Sequence, residues 1–132
     1  MNPCSEDVKD MLESESALGL IFKTNLFIGK EPAVPRDCVT IFDTYSRPPQ
    51  LTMAGKGEVY YYPSIQIRIR NSKYVAGWSL IESIAESLHG RAHETWNDTL
   101  YTVIAIANGP MLLDWDDNGL VRFIINFNLQ RR

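Results

Sequence analysis

Residues 64–71, SIQIRIRN, alternate without a break. Ile65, Ile67 and Ile69 fall on one side of an extended chain, and Ser64, Gln66, Arg68 and Arg70 fall on the other. β-branched residues at every second position are a strand signal, and a slip of one residue would turn the whole isoleucine face to water. Residues 121–129 repeat the pattern, with Val121, Phe123, Ile125, Phe127 and Leu129 opposite Arg122, Asn126 and Asn128. Strands with one apolar and one polar side require a sheet covered on one face only. Asn118-Gly119 suits a tight turn, so GPMLLDW, DDNG and LVRFIINFNL read as one hairpin.

Helices supply the cover. Tyr74, Trp78, Ile81, Ala85 and Leu88 recur at steps of four and three, with Leu80 and Ile84 widening the stripe. Ser79, Glu82, Ser83 and Glu86 make the wet face of this helix. Asn71 or Ser72 is expected to cap it, and Gly90 to end it. A first helix is expected from Ser5, with Glu6 and Asp7 in its first turn and Val8, Met11, Leu12 and Leu18 on its apolar side, ending at Gly19. LIFKTNLFIG and CVTIFDTY read as short strands, and KEPAVPRD between them as a connection. Residues 46–58, SRPPQLTMAGKGE, read as a long loop because of Pro48, Pro49, Gly55 and Gly57. VYYYPSIQIRIR reads as a long strand with Pro63 at a start, edge or bulge. TLYTVIAIAN has apolar groups on both sides, as a central strand would. The expected fold is α+β: a mostly antiparallel β-sheet with two main helices packed on one face, in a single domain over residues 1–132.

The chain carries 13 Lys and Arg against 16 Asp and Glu, a net charge of −3. This argues against a surface that binds nucleic acid throughout. MNPCSEDVKD lacks the basic start and apolar run of a signal peptide, and no run is long enough to span a membrane. Cys4 and Cys38 match no zinc spacing and read as reduced thiols, Cys38 buried. DWDDNG resembles half a calcium loop, but Ile125 stands where the loop needs a bidentate Glu. His89 and His93 lack the adjoining Glu of a zinc protease helix. No nucleophile elbow, P-loop or dinucleotide fingerprint occurs. The expectation is no enzyme, no metal and no cofactor. Tyr60, Tyr61 and Tyr62 could stack bases, but net acidity favours a strand edge that packs a loop or a neighbouring chain.

The order LFIGKEP, CVTIFDTYSRPP, YPSIQIRIR, a helix ending SLHG, then NGPMLLDWDDNGLVRFIINFNLQRR resembles the minor capsid and tail terminator proteins of long-tailed bacteriophages. The resemblance covers residues from about 20 to the end. It implies a virion protein of the tail-neck region, assembled in the host cytoplasm, that forms a ring, commonly hexameric. Such a ring caps the finished tail tube and joins the head connector or another neck protein. Viral DNA passes through it without sequence-specific binding, and no membrane is involved. A different neck component, an adaptor or stopper, and a small nucleic-acid-binding module remain alternatives.

The residues themselves suggest where subunits or DNA would meet the protein. The polar sheet face carries Gln66, Arg68, Arg70 and Arg122, together with Asn126 and Asn128, as a subunit contact or channel wall. Glu82 and Glu86 on the helix are candidate partners for Arg68 and Arg70, with solvation the plain alternative. Leu51 and Met53 in the long loop are expected to be mobile in the free protein and ordered on assembly.

Overall fold

A computed structural model describes residues 1–52 and 55–132, with side chains left undescribed at 52 and 55–58. Eight strands are laid down in the order β1 (Leu26–Ile28), β2 (Cys38–Asp43), β3 (Arg47–Thr52), β4 (Gly55–Tyr62), β5 (Ser64–Asn71), β6 (Glu94–Trp96), β7 (Thr99–Trp115) and β8 (Val121–Arg131). Helix α1 (Cys4–Ser14) precedes them and α2 (Tyr74–Leu88) separates β5 from β6. The path across the sheet runs β1-β2-β5-β8-β4-β3, with β7 on β8 and β6 on β7. Only the β1–β2 pairing is parallel among the described strands. The class is α+β, as the patterning implies.

The two alternating segments are neighbours. β5 and β8 pair in antiparallel register, Ile65 against Phe127, Ile67 against Ile125 and Ile69 against Phe123. These six side chains are fully buried under both helices, with Val8, Met11 and Leu12 of α1 and Ile81, Ile84 and Leu88 of α2. Burying each such aliphatic side chain contributes about 1.5–3 kcal/mol. Gly77 lets α2 close on the sheet, since a Cβ there would stand 3.1 Å from both Asn71 Cβ and the Phe123 ring. The other face of the sheet carries no helix among the described residues.

Helix α1 is fixed by buried polar contacts. Ser5 lies inside the helix, not at its cap, which is Pro3. Its backbone N–H and its hydroxyl donate to the Asp43 carboxylate at 3.0 and 2.6 Å. Asp7 is completely buried and accepts from the Tyr101 hydroxyl and from Asn97 Nδ2, with the Arg131 guanidinium 3.7 Å away. The charge of a buried carboxylate is costly without such partners. The N-terminal helix is thereby tied to the far ends of β7 and β8. Cys4 and Cys38 are both free thiols and both buried.

Four expectations change. The 46–58 loop is the β3–β4 hairpin, with Met53 outside the described residues. Pro48 and Pro49 are tolerated because β3 has one neighbour only, and the register breaks between Arg47 and Gln50 around them. The α2 cap is Lys73, without a side-chain hydrogen bond; Asn71 accepts from the Lys73 N–H and Ser72 donates to Asp37. β7 lies between two strands, β6 and β8, only at its start. Its outer side meets β6, then a lone exchange between Ile104 and residues 90–91, then the His89 Nδ1 that accepts the Ile106 N–H. Beyond Ile106 that edge has no neighbour among the described strands. The polar stretch before β7 holds β6, and Asn97-Asp98 turn it at φ 50° and 64°, the positive pair that a tight hairpin turn demands.

Candidate functional site

The uncovered sheet face is an ordered polar ladder. Cross-strand register places Ser64 opposite Asn128, Gln66 opposite Asn126 and Arg70 opposite Arg122. The Ser64 hydroxyl donates to Asn128 at 2.8 Å, and Gln66 donates to Asn126 at 3.3 Å. Asn126 in turn donates to Asn108 of β7. Arg68 donates to Gln66 Oε1 at 3.2 Å and lies over the Phe42 ring at 4.9 Å. Its Nε is buried without a partner, as is the hydroxyl of Thr40, the residue opposite it on β2. The face is therefore mostly amide and hydroxyl, with one arginine held flat.

Arg70 does not belong to that surface. It is 5% exposed. The connection between β1 and β2 folds over it, and the guanidinium donates to the carbonyls of Pro32, Ala33, Pro35 and Arg36 at 2.6 to 3.3 Å. It also meets Glu31 at 3.2 Å, and the same Glu31 oxygen takes Arg122 at 2.8 Å. Arg122 reaches Asp114 at 3.3 Å as well. Glu31 beside it raises the Arg122 pKa further above its usual value. Arg70 thus anchors a loop of its own chain, correcting its assignment to a subunit contact or channel wall. Its charge is consumed where the alternation predicts display. Glu82 and Glu86 are exposed on α2, on the opposite side of the sheet from Arg68, so they cannot meet it within one molecule.

Two further surfaces stand out: the first holds Leu51 of the segment expected to order on assembly, and the second escaped the sequence reading. The β3–β4 hairpin stands off the domain as an arm. Its pairing to the rest of the sheet is one position, Tyr61 against Arg131. Within it Arg47 lies over Tyr62 at 4.6 Å and the Tyr62 hydroxyl donates to Gln50 at 2.6 Å. Tyr62 therefore serves the arm, while the Tyr60 hydroxyl accepts from Arg132, whose guanidinium lies 5.5 Å from the Tyr60 ring. At the opposite end of β8, Trp115 stacks on Tyr74 with ring centroids 6.1 Å apart, while Tyr74 and Trp78 both meet the Phe123 ring edge-on. Tyr74 and Trp115 remain about half exposed, at 48% and 54%. Tyr74 was expected in the core stripe; it lies at the helix start, past the part of the sheet that α2 covers. The adjoining turn is acidic. Asp116 accepts from the backbone of Asn118 and Leu120, which lowers its pKa, so the residue of the supposed calcium loop serves the turn itself. The signal that could have revealed this patch was a tryptophan placed directly before a turn.

The sequence model of a family described as bacteriophage tail terminator protein matches residues 8–132. Among solved structures, a chain of the virion of a native gene transfer agent particle has a similar fold, with a TM-score of 0.68 at 11% identity over 98% of this chain and 94% of that one. No curated protein matches.

Proposed function

The chain belongs to the bacteriophage tail terminator family, and from that premise we propose that it forms a ring, commonly a hexamer, that caps the finished tail tube. The ring joins the tube to the head connector or a neighbouring neck protein. It is a structural protein of the virion, and its family is structural rather than catalytic. Assembly takes place in the host cytoplasm, and the ring sits in the tail-neck region.

The observation that carries this reading is the uncovered polar sheet face. A helix layer on one side and an ordered amide ladder on the other give a wall with an outside and an inside. Gln66, Arg68, Asn126 and Asn128 face the channel, with Arg122 at their margin. Tight DNA binding needs an array of Lys and Arg to neutralise phosphates and release counterions. A face of amides with one flattened arginine lets DNA slide without holding it. Glu82 and Glu86 lie on the outer helix layer, available to a neighbouring subunit or neck protein.

The test is removal of the gene from its phage, with micrographs of the particles. Overlong tails without heads are expected, restored by the natural gene. Tails of normal length joined to heads would refute the capping role. Normal-length tails that fail to join heads which leak DNA would instead assign an adaptor or stopper.

A further inference from the structure

The arm and the aromatic patch are two exposed surfaces at opposite ends of the sheet. A two-stranded hairpin on its own is marginally stable in water. Among the described residues the β3–β4 arm is held to its domain by one ladder position and by Arg132 on Tyr60, so its β3 strand still lacks a surface to lie on. Its exposed strand offers Arg47, Pro48 and Pro49, followed by Leu51 at 62% exposure. Pro48 and Pro49 have no N–H, and they sit where the β3–β4 register breaks, so their rings stand free of the ladder. Proline pairs with fixed extended backbone dock on aromatic platforms at low entropic cost, and a basic neighbour is commonly read by acids beside the platform.

The far end of the sheet has that chemistry. Tyr74 and Trp115 form a half-exposed stacked platform, bordered by Leu112 at 46% exposure. The exposed Asp117 follows Trp115 by two residues in the turn, at the end of the open edge of β7, while Asp114 is paired with Arg122 on the polar face. Tyr and Trp in a polar rim are the residue types that anchor protein contacts.

One chain cannot make this contact with itself. The arm leaves β8 at Arg131, and the platform lies across from Val121. Ten residues of strand separate them, roughly 33 Å at about 3.3 Å per residue. We infer that the Arg47–Leu51 segment of the arm docks on the Tyr74–Trp115 platform of a second copy of this chain, with Arg47 meeting Asp117. The contact joins two different patches head to tail, the kind that closes into a ring when its rotation permits. The inference rests on the ring reading, since it takes a second copy as the occupant.

The test uses two variants of the full chain, both altered only at exposed positions and both checked for unchanged circular dichroism. One carries Arg47→Glu with Pro48→Ala and Pro49→Ala. The other carries Trp115→Ser with Asp117→Lys. Sedimentation is followed across a concentration range in which the natural protein assembles. Each variant alone stays monomeric. Their equimolar mixture holds one sound arm and one sound platform, so it gives heterodimers and nothing larger. Asp117→Lys alone weakens assembly roughly tenfold or more, because like charges then face Arg47, and Arg47→Glu in the same chain restores it. Either multiple variant assembling as the natural protein does, or a mixture that stays monomeric, overturns the inference while leaving the ring reading intact. Arm variants that still form rings but no longer bind tails assign the arm to the tube and also overturn it. A natural protein that never associates, in solution or on tails, removes both readings together.

Discussion

Replacing Arg70 by Met separates two arginines that sequence alternation treats as equals. In the folded chain the Arg70 guanidinium donates to one carboxylate and four carbonyls, all within the segment 31–36. Each such bond to a charged group is worth about 1.5–3 kcal/mol in isolation. The carbonyls lie on a half-exposed segment and can return to water, and Glu31 keeps Arg122, so the sum does not apply. A loss of about 3–4 kcal/mol remains, the size found when one partner of a buried ion pair is removed. For a domain of this size each kcal/mol lowers Tm by about 3–4 °C, so Arg70→Met melts about 10 °C early. Arg68→Met loses one hydrogen bond and a half-exposed cation–π contact, about 1 kcal/mol or less. Thermal unfolding followed by circular dichroism measures both. If the two variants melt within about 2 °C of each other, the anchor argument is wrong. The same geometry means that reversing Arg70 to Glu, unlike reversing Arg68, does not leave the fold intact, because a carboxylate would then face Glu31.

Asp7→Ala takes the carboxylate acceptor from the buried Tyr101 hydroxyl and the counter-charge from Arg131, which keeps the Asn2 carbonyl and the Tyr101 hydroxyl as acceptors; a loss of about 3–5 kcal/mol is expected in urea unfolding, with release of α1 from the sheet seen as faster amide exchange. Gly109→Ala costs about 2–3 kcal/mol, because φ there is +90° and a Cβ would stand 2.9 Å from the Ile124 carbonyl oxygen; an unchanged melting point would refute this. Burial pushes the Cys4 thiol from its ordinary 9.0 up to about 12, so Cys4 resists alkylation at pH 8 until urea unfolds the chain. A folded pKa raised in this way gives stability that is full below about pH 9 and is lost as pH rises toward about 12. Burial raises the Tyr101 phenol as well, in the same direction, and a pH series of urea midpoints that stayed level through that window would contradict both.

Alternation in 64–71 and 121–129 determined two strands and their buried faces, because a period of two leaves one side for the core; only the fold made them neighbours and set their register. The stripe from Tyr74 to Leu88 likewise determined α2, and Asn118-Gly119 the hairpin turn. These are local facts, readable wherever burial imposes a period. The β3–β4 arm was hidden because proline and glycine count against a strand unless the strand lies at an edge, and edge position is a property of the whole sheet. β7 is flanked by strands on both sides only at its start, and apolar residues on both sides do not say how far a neighbouring strand runs. Arg68 and Arg70 share one face by parity, and parity says nothing about what crosses above them. Only the tertiary structure brings Glu31 and the carbonyls of Pro32, Ala33, Pro35 and Arg36 over Arg70 and leaves Arg68 on the open ladder. The reason is physical: side-chain direction is set by the local backbone, whereas burial and ion pairing depend on segments that are distant in sequence.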